Sequence, residues 1–329
     1  MIKMKFSTIG TSWITESFIA AAKQSGSAEL HAVYSRTEES AKAFAEKNGA
    51  KQWFSNLEAM LQDEESDFIY IASPNRMHYE HMIMCMENGK HVFCEKPMVL
   101  NESQWNHVQE TAKEKGVFVF EGFRHLYSPN YKKLKDQLTQ VGQVRSVMLQ
   151  YVQYSSKYDA FKEGKAPNVF SKEFAGGAVM DLGVYPLSLA LDLFGEPNNI
   201  NYFPVLLSNG TDGSGTLVLN YNEFVVTILC SKIAQGTAPS EIHGEDGALR
   251  MDHVAPIEQL SFYDRKTKET TELAEKQEQL DMIYEAQAFV KMVKEQNLEE
   301  HAAGLERSRQ VAKWTSEARK QHNILFPGE

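Results

Sequence analysis

The chain holds three cysteines, Cys85, Cys94 and Cys230, in 329 residues, and none forms a Cys-x-x-Cys pair with another. Such usage excludes a disulfide framework and a zinc ribbon, and it implies a reducing, cytoplasmic setting. Positive charge is also in short supply. Lys and Arg number 34 against 44 Asp and Glu, for a formal net charge of −10. Nucleic acid and anionic membrane are recognised by clustered basic residues, so neither partner is expected. The one basic cluster, Lys132-Lys133 with Lys135, reads as the solvated face of a helix start. No apolar run is expected to approach the roughly 18 residues of a membrane helix. Met1-Ile2-Lys3 leads into a strand rather than a signal-peptide core. His78 and His81 stand one helical turn apart, but no carboxylate or third ligand is spaced with them, so no metal site is expected. Internal repeats and low-complexity tracts are missing as well.

What is present is a chain too long for one core, with 42% hydrophobic residues, enough to fill two. Lys5-Phe6-Ser7-Thr8-Ile9 is a strand that runs through Gly10 into a helix over Ile14–Gln24, and Glu29–Tyr34 is the next strand. Phe68–Ala72 is a strand closed by Ser73-Pro74-Asn75, followed by a helix over Met77–Glu87 that ends at Asn88-Gly89. The alternation continues through Val117–Phe120, as a parallel sheet covered by helices on both faces requires. From about residue 125 the pattern changes to alternating strands, among them Val144–Tyr151, Gly215–Tyr221, Phe224–Ser231 and Gln259–Tyr263, which predict a mostly antiparallel sheet. Lys157–Asn168 and Gly236–Pro239 read as loops, the first a candidate for setting substrate choice.

The segment Gly89-Lys90-His91-Val92-Phe93-Cys94-Glu95-Lys96-Pro97 reads as a short strand ending in a Glu-Lys pair locked by proline. The proline biases Lys96 toward extended backbone, which aims its ammonium, so Lys96 is the candidate active-site cation. Three motifs follow one another in the chain: Ala72-Ser73-Pro74-Asn75 with His78, then Glu95-Lys96-Pro97, then Gly176-Gly177-Ala178-Val179-Met180-Asp181-Leu182-Gly183-Val184-Tyr185-Pro186. In these motifs and their order the chain resembles the Gfo/Idh/MocA family of nicotinamide-dependent oxidoreductases. The Asp-x-Gly-x-Tyr-Pro form is similar to the subset of dihydrodiol and aldose dehydrogenases. The resemblance implies an α/β fold: a Rossmann doubly wound parallel sheet over residues 1–124, then an α+β domain with a mostly antiparallel open sheet over 125–329. A C-terminal helix at about 304–322 is expected to return to the first domain. The family covers the open sheet by pairing subunits, so a homodimer or homotetramer is expected, with Phe203–Leu207 supplying apolar surface.

A dinucleotide fold needs glycine after its first strand, because the pyrophosphate approaches the backbone and rests on the next helix N-terminus. Here the loop is Gly10-Thr11-Ser12-Trp13-Ile14-Thr15, with Ser12 and Thr15 where the usual fingerprint has glycine and glycine or alanine. After the second strand, Ser35-Arg36-Thr37 carries no carboxylate for a ribose 2′-hydroxyl, whereas the Arg36 fork suits a 2′-phosphate, which favours NADP over NAD. The resemblance further places Ser73, Asn75, His78, Glu95 and Lys96 on the nicotinamide ribose side. For His78, at a helix start, a capping or packing role is an equal alternative.

Moving a hydride between a carbinol carbon and nicotinamide needs a group that takes the hydroxyl proton and a cation or donor that steadies the alkoxide. Lys96, Asp181 and Tyr185 meet those needs. If Met180–Phe194 is helical, the spacing of four puts Asp181 and Tyr185 on one face, and Gly176-Gly177 permits close backbone approach beside substrate or nicotinamide. Tyr185 is the expected acid/base with Lys96 tuning it, and Asp181 orients Lys96 or a substrate hydroxyl. The substrate class is a sugar, polyol or diol. Redox-neutral glycoside cleavage with retained nicotinamide and a non-catalytic NADP-sensing regulator stay open beside it. The stretch Glu121-Gly122-Phe123-Arg124-His125-Leu126 is similar to a family segment whose arginine falls at Leu126 here, with Arg124 as its possible substitute.

Overall fold

The computed structural model describes residues 3–329; Met1 and Ile2, and with them the expected lead into the first strand, lie outside the described residues. The chain packs as two units, one formed by the stretch ending at Gly122 together with Glu278–Ser308, the other by Phe123–Gln277 with Arg309–Glu329.

In the first unit apolar, β-branched and aromatic runs form six strands, and amphipathic segments form the helices between them. The order is β1 (Met4–Ile9), α1 (Trp13–Ser25), β2 (Ala28–Tyr34), α2 (Glu38–Asn48), β3 (Gln52–Phe54), α3 (Leu57–Leu61), β4 (Phe68–Ile71), α4 (Asn75–Glu87), β5 (His91–Glu95), α5 (Glu102–Lys115) and β6 (Val119–Gly122). All strand pairs are parallel and the sheet order is β3-β2-β1-β4-β5-β6. This is the doubly wound Rossmann order, whose chain reverses direction between β1 and β4. Strands β4 and β5 are buried throughout or nearly so, the pattern of a sheet covered on both faces. The core over this sheet is aromatic: Phe18 stacks on Tyr70 at 3.8 Å, and Phe6, Phe68 and Phe93 complete the cluster.

The second unit begins with a short 3₁₀ turn, Arg124–Tyr127, and α6 (Pro129–Gln137). Lys133 and Lys135, read from sequence as a solvated helix start, lie along α6 and pair with Glu275 and Asp192 at 3.3 and 2.9 Å. Next come β7 (Val144–Val152), α7 (Tyr158–Lys162), α8 (Val184–Phe194), β8 (Asn199–Leu206), β9 (Asp212–Asn220), β10 (Val225–Ser231), β11 (Ser240–Gly244), β12 (Gly247–Met251), β13 (Leu260–Asp264) and β14 (Thr270–Glu272). The Lys157–Asn168 segment is thus not all loop, because Tyr158 and Phe161 anchor a helical turn by packing on Phe170 at 5.6 and 5.4 Å. The eight strands form one sheet, β14-β13-β12-β11-β7-β10-β9-β8, antiparallel except for the β7–β10 pair. Alternation sends Ile200, Tyr202, Leu217, Leu219, Ile228 and Leu249 inward. It leaves Phe203, Val205, Leu229, Val225 and Met148 exposed on the other face.

The run Lys172–Phe194 corrects the expectation about long apolar stretches: it is apolar enough over 18 residues to match a membrane span, but 89% of that window is buried inside the protein. A core helix buried on all sides is apolar all round for the same reason as a membrane helix. The chain closes with α9 (Met282–Glu295) and α10 (Leu298–Lys320). In the first unit α9 packs on α1, and its Phe289 reaches Phe68, Phe93 and Phe120 at 4.9–5.5 Å. The C-terminal helix starts six residues before the sequence reading placed it, at Leu298 rather than 304.

Candidate functional site

Gly10 follows β1 at the point where the sheet reverses direction. Its φ is +116°, and a β-carbon there would stand 2.6 Å from the Ala72 carbonyl oxygen at the end of β4. Only glycine lets these two strand ends pass so closely. Thr11 and Ser12 then lead into α1, whose first residue, Trp13, is 72% exposed, with Ile14 partly buried behind it. Ser12 is the N-cap of α1, yet its hydroxyl makes no capping bond, whereas Thr37, Asn56 and Asn101 cap α2, α3 and α5 with their side chains. A helix start at the reversal point, left without a side-chain cap, keeps its first N–H groups for an anion. These features fit a dinucleotide pyrophosphate. Thr15, in the place of the usual third small residue, is fully buried in α1.

At the end of β2, Ser35 is partly buried and Arg36 exposed. Thr37 is already engaged locally: its hydroxyl accepts from Ser40 N–H at 3.3 Å and donates to Ser40 Oγ at 2.8 Å.

At the ends of β4 and β5 a histidine joins two segments singled out from sequence. His78 lies on α4, buried, with Nε2 2.7 Å from the Ser73 carbonyl and Nδ1 2.9 Å from the Pro97 carbonyl. Burial lowers its pKa, the two carbonyls oppose that, and the Lys96 charge adds to the lowering. Packing is therefore part of its role, and through it the turn bearing Asn75 and the segment bearing Lys96 are braced together. His81, read with it as a conceivable metal pair, instead has Nδ1 2.9 Å from Ser73 Oγ, and burial depresses its pKa to about 4. No cluster of three or more metal-ligating side chains occurs among the described residues. Glu95 is buried and accepts a 2.7 Å bond from the Tyr70 hydroxyl. Lys96 is partly buried, and the Lys96–Pro97 peptide is cis. Glu121, on β6, accepts from Met98 N–H at 2.8 Å. Burial raises its carboxyl to about 7, while Ser308, the Met98 N–H and the charges of Arg307 and Lys96 pull the other way.

In the second unit, the Gly-Gly pair before Asp181 makes room for the protein's own atoms. A β-carbon on Gly177, at φ +130°, would fall 2.0 Å from Asp212 Oδ1, and one on Gly176 would fall 2.6 Å from the Asn168 carbonyl. Buried Asp212 in turn accepts from Val179 N–H at 2.8 Å and from the Tyr202 hydroxyl at 2.7 Å. The helix expected from Met180 begins as a π-turn over Val179–Gly183 and becomes α-helical only at Val184. Asp181 sits in that turn and Tyr185 in the first turn of α8, so the simple i, i+4 face does not apply; such single π-turns recur at functional positions.

Around Tyr185 the structure gathers Arg124, read from sequence as a possible substitute for the family's arginine, and further residues with no assigned role. The Arg124 guanidinium lies 5.9 Å from the Tyr185 ring centre, which gives that arginine a place although it is out of the family's usual register. Tyr151 lies 5.3 Å from the same ring, His253 4.4 Å from Tyr151, and His125 Nε2 is 3.1 Å from the Tyr185 carbonyl. Asp181 pairs with Lys232, whose ammonium is also 3.1 Å from the Val169 carbonyl. The signal for Lys232 was a lysine directly after the apolar strand β10, a costly place for a charge without a partner.

The fold and the uncapped helix at the strand reversal define a dinucleotide-binding Rossmann protein with an appended sheet unit. Comparison with known proteins makes the class particular. Residues 4–123 match the model described as the oxidoreductase family with an NAD-binding Rossmann fold, and residues 131–250 match the GFO/IDH/MocA C-terminal domain. The chain belongs to the Gfo/Idh/MocA oxidoreductase family. It is 40% identical over 326 residues to scyllo-inositol 2-dehydrogenase (NADP+) of Bacillus subtilis, covering 99% of both chains. It is 28% identical over 229 residues to trans-1,2-dihydrobenzene-1,2-diol dehydrogenase of Xenopus tropicalis, covering 68% of this chain and 67% of that one. In fold it is similar to a 3-ketoreductase from Actinomadura kijaniata solved with NADP and TDP-benzene, with TM-score 0.83, 22% identity and coverage of 97% and 98%.

Because the folded-state carboxyl of Glu121 is raised to about 7, the native state keeps a proton that the unfolded chain gives up near the ordinary glutamate pKa. Its contribution to stability is complete below about pH 4 and is lost as pH rises toward 7. Chemical denaturation of the wild type and E121Q across pH 4–8 is expected to show wild type losing ground to the variant, by up to about 1.4 kcal/mol per pH unit. Parallel pH dependences of the two proteins would rule out the raised carboxyl.

Proposed function

We propose that the protein is an NADP-dependent dehydrogenase or reductase acting on a CH–OH carbon of a sugar, polyol or diol. The observation that carries this is the full-length likeness to an NADP+-dependent inositol dehydrogenase in a chain that keeps Lys96, Asp181 and Tyr185. The nicotinamide, when bound, would supply the hydride acceptor for oxidation and the hydride donor for reduction. Gly10, Thr11, Ser12, Trp13 and Ile14 hold its pyrophosphate at the start of α1, and Ser35, Arg36 and Thr37 hold the 2′-phosphate. Ser73, Asn75, His78, Glu95 and Lys96 form the nicotinamide ribose side. Tyr185 takes the hydroxyl proton in oxidation and gives it back in reduction. Lys96 supplies the positive charge that steadies the alkoxide, and Asp181 accepts a hydrogen bond from a substrate hydroxyl.

The exposed apolar face of the large sheet supports a homodimer or homotetramer. Phe203 is 62% exposed and Val205 55%, on the same face as Leu229, a contiguous surface of the kind that marks an interface. The free, buried Cys85, Cys94 and Cys230 are consistent with a cytoplasmic location.

Three measurements test this reading. Nicotinamide absorbance assays with scyllo-inositol, aldoses and trans-diols are expected to find turnover, and K96A and Y185F are each expected to lower kcat about 10²–10⁴-fold, with NADPH binding retained. Wild-type turnover in either variant removes that residue from the mechanism. R36A is expected to raise the KM for NADP at least about 10-fold, since a charge-assisted phosphate contact is lost, while leaving that for NAD unchanged. Equal use of both coenzymes by the wild type would overturn the NADP assignment. Light scattering on a gel-filtration column is expected to show a dimer or larger assembly that F203E/L229E dissociates; a monomeric wild type would refute the interface.

A further inference from the structure

Lys232 is a cation placed where a cation is expensive. It follows the last residue of β10, and its backbone is fixed on both sides: its N–H donates to the Gly213 carbonyl at 2.8 Å, and its carbonyl accepts from Ser155 N–H at 2.9 Å. The side chain is only 2% exposed. A buried ammonium is tolerated when its donors are matched, and here they are directed at the Asp181 carboxylate and, at 3.1 Å, the Val169 carbonyl. The ammonium also lies 4.9 Å from the centre of the Phe170 ring, a face that attracts cations. Phe170 is itself held by Tyr158 and Phe161 of α7.

The two partners are unequally buried: the lysine is sealed, while Asp181 keeps 33% of its side-chain surface exposed. A pair serving the core alone gains nothing from such asymmetry, since apolar residues of similar volume fill an interior as well or better. The lysine therefore stands behind the carboxylate and leaves part of it presented. Asp181 sits in a π-turn, where side-chain directions differ from those of a regular α-helix, and the lysine meets it there.

We infer that Lys232 is a positioning residue: it holds the Asp181 carboxylate in one orientation as the acceptor for a substrate hydroxyl. The inference rests on the reading of Asp181 given above. It also gives the carboxylate a charge partner from its own unit, one that does not depend on bound substrate or coenzyme.

The test uses the full-length protein with NADP and whichever of scyllo-inositol, xylose or a trans-diol it turns over best. K232M, which keeps most of the unbranched side chain and removes the charge, is expected to raise the substrate KM at least about 10-fold, with the KM for NADP changed less than about two-fold. K232R is expected to recover most of the loss. In a double-mutant cycle, D181N/K232M is expected to be no worse than D181N alone, because Lys232 acts through Asp181. D181N impaired beside a K232M of wild-type kinetics would overturn the inference and leave the Asp181 reading intact. D181N of wild-type kinetics would instead sink the reading of Asp181 and the inference with it. If K232M does not fold, the double variant, which leaves no unpaired buried charge, carries the comparison. An additional loss beyond D181N, or equal loss of substrate and NADP affinity, would show a structural role and refute positioning.

Discussion

The close passage of two strand ends governs the coenzyme side of this protein. Parallel strands β1 and β4 run side by side to Ile9 and Ile71, and Ala72 N–H still bonds to the Ile9 carbonyl at 2.8 Å. The chain then leaves β1 so near β4 that any side chain at residue 10 would strike the Ala72 carbonyl. With that passage secured, α1 starts at the carboxyl ends of the central strands β1 and β4. The turn after β4 falls beside it, and His78 can reach the carbonyls of both Ser73 and Pro97. Of the two residues that depart from the usual fingerprint, Ser12 is exposed and Thr15 is taken into the buried side of α1.

The second unit achieves its order by a different means, buried charge. Asp212, fully buried, ties the backbone of the π-turn at Val179 to Tyr202 of β8, and Gly177 is glycine because Asp212 fills the space beside it. Burial raises the Asp212 pKa, opposed by those same bonds. Two residues after Val179, Asp181 is joined to Lys232 from the end of β10. Two carboxylates thus meet one π-turn: Asp212 bonds to its backbone, and Asp181, which the turn bears, pairs with a buried lysine.

Much of this was legible beforehand, and for definite reasons. Five strands of the first sheet could be read because each is a short apolar run followed by turn residues, and because parallel strands must alternate with helices; β3 could not, since Gln52–Phe54 is three residues long, largely exposed and ordered at the sheet edge by pairing with β2. The Ser73–Asn75, Glu95–Pro97 and Gly176–Pro186 segments could be read because they are local motifs. The second sheet was only partly legible. Strands β11, β12 and β14 are short, and β8 is interrupted by two asparagines and a proline, so they exist because of their neighbours in the sheet rather than their own composition. The turn in Tyr158–Lys162 rests on aromatic contacts with Phe170, and the polar run around it gave no sign of them. The apolar Lys172–Phe194 run was underestimated because its glycines and two aspartates interrupt it in sequence but not in the interior.

By itself the sequence determined the class of fold, the strand–helix alternation of the first unit, the place of Gly10 and the motifs that carry Lys96, Asp181 and Tyr185, since each depends on residues close together in the chain. The tertiary structure alone decided which side chains stand beside them. Lys232 lies 51 residues from Asp181, and His125 lies 60 from the carbonyl of Tyr185. Contacts at such separations are set by how strands and helices pack, and no local pattern records them.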